Sequence, residues 1–223
     1  MVWERSKENY PRIWSEFTCE KTKQKFIIKD LSEEYYDIAL GYMTNIFLNE
    51  SAICKPLRIL EDPVSRLQMQ QKWMKIMRSN MAIICCTVDD EVPRVAAIHF
   101  TVVREKGQEQ PTKDPLTLNK YDQFTEVVEA LTASGDLFTR FDSDVYLFSL
   151  GLFVLPEFRG LGIATYLLKS RITMCRALGL RGTGNVFSTP GAQAAARSAG
   201  YREVAARVYN GQKLALMAAD VLA

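Results

Sequence analysis

The run Arg159-Gly160-Leu161-Gly162-Ile163-Ala164 lies between an apolar stretch, residues 145–154, and positions of helical spacing at Ala164, Leu167, Leu168, Ile172, Cys175 and Leu178. A loop that enters a helix offers backbone N–H groups with no intrahelical partner and a partial positive charge. Two glycines keep side chains away from those amides, and Arg159 adds a planar fork suited to phosphate oxygens. The pattern predicts a pyrophosphate cradle. It lacks the Gly-Lys-Ser/Thr ending of a nucleoside triphosphate loop and the third glycine of a dinucleotide fingerprint. The alternative is a glycine-eased turn that binds nothing. Charge supports the cradle: residues 159–213 carry +8, with Glu203 their one acid, and the rest of the chain sums to −6. A polyanion suits that distribution, as does an ordinary solvated set of helix and strand faces.

Other reactive side chains are sparse. His99, the one histidine, stands between Ile98 and Phe100 and reads as a satisfied, half-buried residue rather than a general base. The five cysteines (Cys19, Cys54, Cys85, Cys86, Cys175) show no Cys-x-x-Cys spacing. They read as reduced, mostly buried small hydrophobes, with no metal site expected.

Composition bounds the rest. Of 223 residues, 48% are hydrophobic and 24% charged, an ordinary globular balance. A net charge of +2 implies neither nucleic acid nor membrane. The longest mainly apolar stretch, residues 145–156, falls well short of the ~20 that a bilayer span needs. Residues 1–5 lack the apolar core of a signal peptide, so a soluble, cytoplasmic chain is expected, with a monomer favoured.

The elements that must position the loop follow from periodicity. Residues 1–22 read as an arm, 26–28 as a short strand, and Ser32 as the N-cap of a helix reaching about Phe47. Residues 49–61 break that helix, and Pro63 opens another. Residues 81–88 and 94–103 form a hairpin around Asp89-Asp90-Glu91. A polar excursion with Pro111 and Pro115 follows, then a helix over 118–133. Residues 145–154 have the pattern of a strand buried on both faces. After the helix from Ala164 come a short strand at Val186-Phe187, a helix from Pro190 to Gly200, and a hairpin turning at Asn210-Gly211. No linker divides the chain, so one domain over residues 1–223 is expected.

At Arg159, Gly162 and Ala164 the chain resembles the GNAT superfamily, whose acetyl-CoA signature is Arg/Gln-x-x-Gly-x-Gly/Ala; Phe153-Val154-x-Pro156-Glu157-Phe158 resembles the usual lead-in. The resemblance implies an α+β GNAT acyltransferase fold: a central mixed, mostly antiparallel sheet flanked by helices and splayed at the acetyl-CoA site. It implies that backbone groups of Leu152, Phe153 and Val154 bind the pantetheine arm. Arg159, Gly160, Leu161, Gly162, Ile163, Ala164 and Thr165 would then hold the pyrophosphate.

Within the superfamily the chain looks most like the insect arylalkylamine N-acetyltransferases. Their Thr-Gly-x-x-Phe-Ser strand stands intact at residues 183–188, and Asp136-Leu137-Phe138 with Phe141 and Asp144 resembles their acidic lead-in. Of their Asp-Glu-Pro-Leu element, Phe47 and Glu50 survive in Phe47-Leu48-Asn49-Glu50-Ser51-Ala52. By that resemblance Glu50 is the base that takes a proton from an incoming ammonium, directly or through water. Ser188 either contacts the cofactor and helps protonate the leaving thiolate, or caps the helix near Pro190. Ala196 stands where many relatives carry a tyrosine, which leaves Ser188 or water as the thiolate's proton donor. Tyr35, Tyr36, Tyr42, Met43 and Met69 could line an amine pocket, with core packing the plainer reading.

The expected function is direct acetyl transfer from acetyl-CoA, without metal, to a small primary amine, foremost an arylalkylamine of the dopamine, serotonin, tyramine or octopamine type. Polyamine or agmatine acetylation is the alternative among enzymes. A non-catalytic CoA-binding sensor is the alternative of another class, and peptide acetylation is a weaker option.

Overall fold

Apolar runs that are buried on both faces become inner strands, and runs of helical spacing cover them. The computed structural model describes residues 3–8, 10–108 and 118–221, so Pro111 and Pro115 lie outside the described residues. In chain order the elements are β1 (Ile13–Thr18), β2 (Lys25–Asp30), α1 (Tyr36–Tyr42), α2 (Leu48–Glu50), α3 (Pro63–Arg78), β3 (Ala82–Thr87) and β4 (Val95–Glu105). Then come α4 (Lys120–Ala133), α5 (Leu137–Phe141), β5 (Val145–Val154), α6 (Ile163–Ala177), β6 (Gly182–Phe187), α7 (Pro190–Ser198), β7 (Arg202–Tyr209) and β8 (Gln212–Asp220).

The strands form one sheet in the order β1-β2-β3-β4-β5-β6-β8-β7. Every neighbouring pair is antiparallel except β5 and β6. Those two run parallel and register only at Leu147 opposite Thr183 and Phe148 opposite Gly184. Beyond these pairs they part, and the sheet opens into a wedge. The GNAT fold expected from the signature is therefore present, as a mixed, mostly antiparallel sheet.

Two features produce the opening. In β5, Leu150 and Gly151 together face the single residue Phe100 of β4, a bulge that bends the strand. Gly151 has φ +137°, and an added Cβ would lie 2.7 Å from the Met43 methyl, so both backbone and space demand glycine. Trp73 of α3 donates its indole N–H to the Leu150 carbonyl at 2.9 Å, satisfying a group that the bulge frees. On the other side, Gly182 and Gly184 let α5 lie directly on β6. Added Cβ atoms would come within 2.2 Å of the Phe141 ring and 2.4 Å of Leu137.

Several expectations need correction. Residues 1–22 are more than an arm: they contain β1, which pairs with β2. Arg5 is welded to Asp30 by two hydrogen bonds of 2.8 and 2.7 Å, with the side chains 3% and 0% exposed. The Trp14 indole and the Arg12 amide also donate to Asp30, satisfying the buried carboxylate. Ser32 precedes a short 3-10 turn, Glu33–Tyr35, with no side-chain cap bond. The helix does not stop at Phe47. It passes through a π-helical turn, Met43–Phe47, and continues as α2 to Glu50. The short strand near Val186 is in fact β6, six residues long, and α5 was not expected at all. The Asn210-Gly211 hairpin is as expected, with both residues at positive φ (47° and 74°). All five cysteines are buried and free.

Candidate active site

The turn into α6 places the predicted cradle. Gly160 (φ +76°) and Gly162 (φ +82°) adopt a conformation that L-residues resist, and Gly162 serves as N-cap with no side chain over the first amides. An added Cβ would meet nothing at Gly160 and only the Tyr166 ring, at 3.8 Å, at Gly162. The glycines thus serve backbone shape first, and the space in front of them is open.

That space is the outer part of a cavity of about 870 Å³. Leu152, Phe153, Val154, Arg159, Gly160, Gly162, Ile163, Ala164 and Thr165 all line it, together with Glu50 and Ser188. Leu161 alone of the expected cofactor residues turns away, packing against the core. The small side chains of Ala192 and Ala195 on α7 form the opposite wall. Uncapped helix amides, a cation and a slot between parted strands fit a phosphate-bearing nucleotide with a long thin arm.

Arg159 donates through Nε to the Val154 carbonyl at 3.1 Å, and its Nη2 pairs with the Glu50 carboxylate. Both side chains are nearly half exposed (48% and 41%), so the pair is worth about 1 kcal/mol or less and locks neither partner. The regional +8 charge contributes less than expected. Of the nine basic residues in that segment only Arg159 lines the cavity, joined by Lys55 from outside it. Arg181 pairs with Asp142, Lys213 with Glu203, and Arg171 is fully buried.

A middle cavity of about 110 Å³ adjoins the slot and shares Phe47, Ser51, Leu152, Ala164, Ser188, Ala192 and Ala195 with it. Its polar lining is neutral: Ser51, Ser149, Asn185 and Ser188. Glu50 lines the slot but not this middle cavity. Thr189, not Ser188, caps α7, its hydroxyl accepting from the Ala192 amide at 3.2 Å. Ser188 is thereby released from the capping role and stays on the cavity wall.

On the far side a third cavity, about 390 Å³, shares Met69, Phe124, Val128 and Leu150 with the middle one. Trp73, Tyr121, Phe124, Phe138 and Tyr146 supply an aromatic lining. Arg104 grips Glu129 through two bonds of 2.6 and 2.7 Å, and Lys72 stands beside them with its pKa lowered by burial and by the charges of Lys75 and Arg104. Of the five residues considered for such a pocket only Met69 lines it. Tyr36 instead donates to the Met77 carbonyl, and Met43 is core. The residues that do line it come from α3, α4, α5, β4 and β5 and the turns beside them. Helical spacing in residues 118–133 and the Asp136-Leu137-Phe138 segment, all three residues of which line the cavity, are the sequence signals that fall there.

His99 is not half-buried but fully buried, with Nε2 3.0 Å from Ser149 Oγ and Nδ1 unpartnered. Burial, and then the Arg171 charge, hold its pKa well below 6.5 and keep the ring neutral. Tyr201 is also buried, its pKa raised by desolvation, and donates to the Leu168 carbonyl at 3.4 Å.

No family model matches the chain, and no curated protein matches it by sequence. Solved structures do. Over 99% of its length the chain is similar to a yellow fever mosquito (Aedes aegypti) protein named as arylalkylamine N-acetyltransferase 7, covering 100% of that chain at 22% identity and TM-score 0.91. It is also similar to Aedes aegypti arylalkylamine N-acetyltransferase 2, at 15% identity and TM-score 0.74, over 88% of this chain and 99% of that one. A third similar structure is the Drosophila melanogaster polyamine N-acetyltransferase that forms N-acetylagmatine, at 11% identity and TM-score 0.69, over 87% and 99%. The fold is that of the GNAT acetyltransferases.

Proposed function

We propose that this protein is an acetyl-CoA-dependent N-acetyltransferase acting directly on the primary amine of a small molecule, foremost an arylalkylamine. The observation that carries the reading is the run of three adjoining cavities through the parted sheet. One has helix amides at its mouth, a narrow neutral one lies in the middle, and an aromatic one opens on the far side.

Bound in the slot, acetyl-CoA would supply an activated acetyl carbonyl and a thiolate leaving group. The amides of residues 162–165 and Arg159 would hold its phosphates, and the free backbone edge of Leu152, Phe153 and Val154 its arm. The amine enters mainly as ammonium and must lose a proton before its lone pair can form the new C–N bond. Glu50 would take that proton. Because it sits at the slot rather than in the middle cavity, the transfer would pass through water or the Ser51 hydroxyl. Ser188, or water, would return a proton to sulfur as the C–S bond breaks.

The aromatic lining and the cation Lys72 favour a monoamine with a ring, since a second ammonium would meet Lys72 and Arg104. Polyamine or agmatine acetylation is the second reading, supported by Glu105 and Asp136 in the same lining. The experiment is a thiol-release assay with dopamine, serotonin, tyramine, agmatine and spermidine, beside calorimetry with CoA. A tenfold preference in kcat/KM, about 1.4 kcal/mol, decides between the two. Binding of CoA without turnover on any amine or peptide would replace both with a sensor.

A further inference from the structure

We propose that Ser149 is a hydrogen-bond donor fixed toward the middle cavity, oriented by His99 and Arg171 behind it, and that it serves the sulfur of a bound acyl thioester as negative charge develops there. The choice of sulfur rests on the acetyltransferase reading; the direction of the hydroxyl does not.

Arg171 of α6 is fully buried, and among the described residues it has no acidic partner. Its Nη2 donates to the Gly184 carbonyl at 2.9 Å, the Leu147 carbonyl at 3.3 Å and the Thr183 hydroxyl. These are the residues at which β5 and β6 last register, so the guanidinium bridges both strands where the wedge begins. Among the described residues its Nε and Nη1 have no partner, and neither does His99 Nδ1.

This surrounding decides where the histidine proton sits. A neutral imidazole carries one N–H and one acceptor lone pair. On Nδ1 the proton would be a buried donor with no acceptor, in the field of a cation. With the proton on Nε2, the unpartnered Nδ1 carries only a lone pair, a form that the Arg171 charge favours, and Nε2–H donates to Ser149 Oγ across 3.0 Å. The geometry points to the Nε2–H form.

Ser149 is then fully used as an acceptor. A hydroxyl oxygen has two lone pairs and one hydrogen. One lone pair accepts from His99, and the second accepts from the Gly151 amide at 3.3 Å, which the β5 bulge turns back on the strand. The hydroxyl hydrogen must therefore be given away. Ser149 makes no bond to a protein acceptor among the described residues, and it lines the middle cavity. The middle cavity thereby holds a directed donor, whereas Ala196, at the tyrosine position of many relatives, offers none. Ser149 only donates; it transfers no proton.

Because His99 is the one histidine, nitrogen-15 NMR of the imidazole in the full chain reports a single ring. A protonated Nε2 with an unprotonated Nδ1 is expected; the Nδ1–H form would overturn the orientation, and no variant that could misfold is needed. Ser149→Ala should lower kcat about tenfold with the KM for acetyl-CoA and amine nearly constant, and Ser149→Thr, which keeps the hydroxyl, should restore it. An unchanged kcat in Ser149→Ala would overturn the role at sulfur. Absence of CoA binding to the wild type would instead remove the acetyltransferase reading and the sulfur partner with it. The NMR result would still decide where the hydroxyl points.

Discussion

The two mouths of the channel are built from different materials. The slot at α6 is made largely of backbone: uncapped amides, two glycines at positive φ, a parted strand edge, and small alanines on α7. The far cavity is made of side chains, with aromatic rings from α3, α4, α5 and β5 around the Arg104–Glu129 pair. A backbone site keeps its chemistry through wide sequence change but fails when one backbone angle is denied. A side-chain site keeps its shape only while its residues persist, and can change occupant without disturbing the sheet. The similar structures accord with this, since proteins named for arylalkylamines and for polyamines carry the same architecture at 11–22% identity.

The sharpest test acts on the carboxylate of the slot. Glu50→Gln should reduce kcat about a hundredfold while the KM for the amine stays within a fewfold; steady-state thiol release measures it, and an undiminished kcat would remove Glu50 as the base. At the backbone mouth, Gly162→Val should weaken CoA binding by more than about tenfold, because the left-handed conformation costs an L-residue about 1–2 kcal/mol and a β-branched one more. Gly162→Asn, which tolerates that conformation, should lose less. Equal losses in calorimetry would shift the blame from backbone shape to bulk. At the side-chain mouth, Phe124→Ala should raise the amine KM about tenfold, the loss expected from a ring that buries against substrate, with CoA affinity unchanged. A matching loss of CoA affinity would mean that the two mouths are not separable.

The wall between the mouths gives the smallest effect. Burial and Arg171 depress the folded-state pKa of His99, whereas the unfolded ring still takes up a proton near its ordinary 6.5. The fold therefore has its full share of stability above that pH and loses up to about 1.4 kcal/mol per pH unit as pH falls below it. Urea midpoints followed from neutral to mildly acidic pH should fall, and His99→Gln should flatten that limb; parallel curves would mean that the ring titrates normally.

How far the sequence could be read followed the same division. The turn that carries Arg159, Gly162 and Ala164 into a helix was legible because such an entry is set by residues adjacent in the chain. Asn210-Gly211 was legible for the same local reason. Phe124, Tyr146, Lys72 and Arg104 were not, since the sheet and two helices bring them together across more than 70 positions. β1 was missed because its alternation is broken by the irregular register between Ile13 and Ser15, and because what anchors this region is an ion pair, Arg5 with Asp30, 25 positions apart. Ser149 and His99 each read as unremarkable strand residues. Only the bulge and a carboxylate-free arginine give them direction.

The π-helical turn at Met43–Phe47 has a consequence for how related chains should be compared. Such a turn accommodates one residue more than a regular helix. Deleting that residue would close the turn to a regular one with Glu50 still beside Arg159, whereas deleting a residue from a regular helix turns everything beyond it by about 100°. A one-residue difference in length is thus absorbed at this turn without relocating the carboxylate. An alignment with a chain that lacks the π-turn therefore needs a gap here if Glu50 is to keep its place.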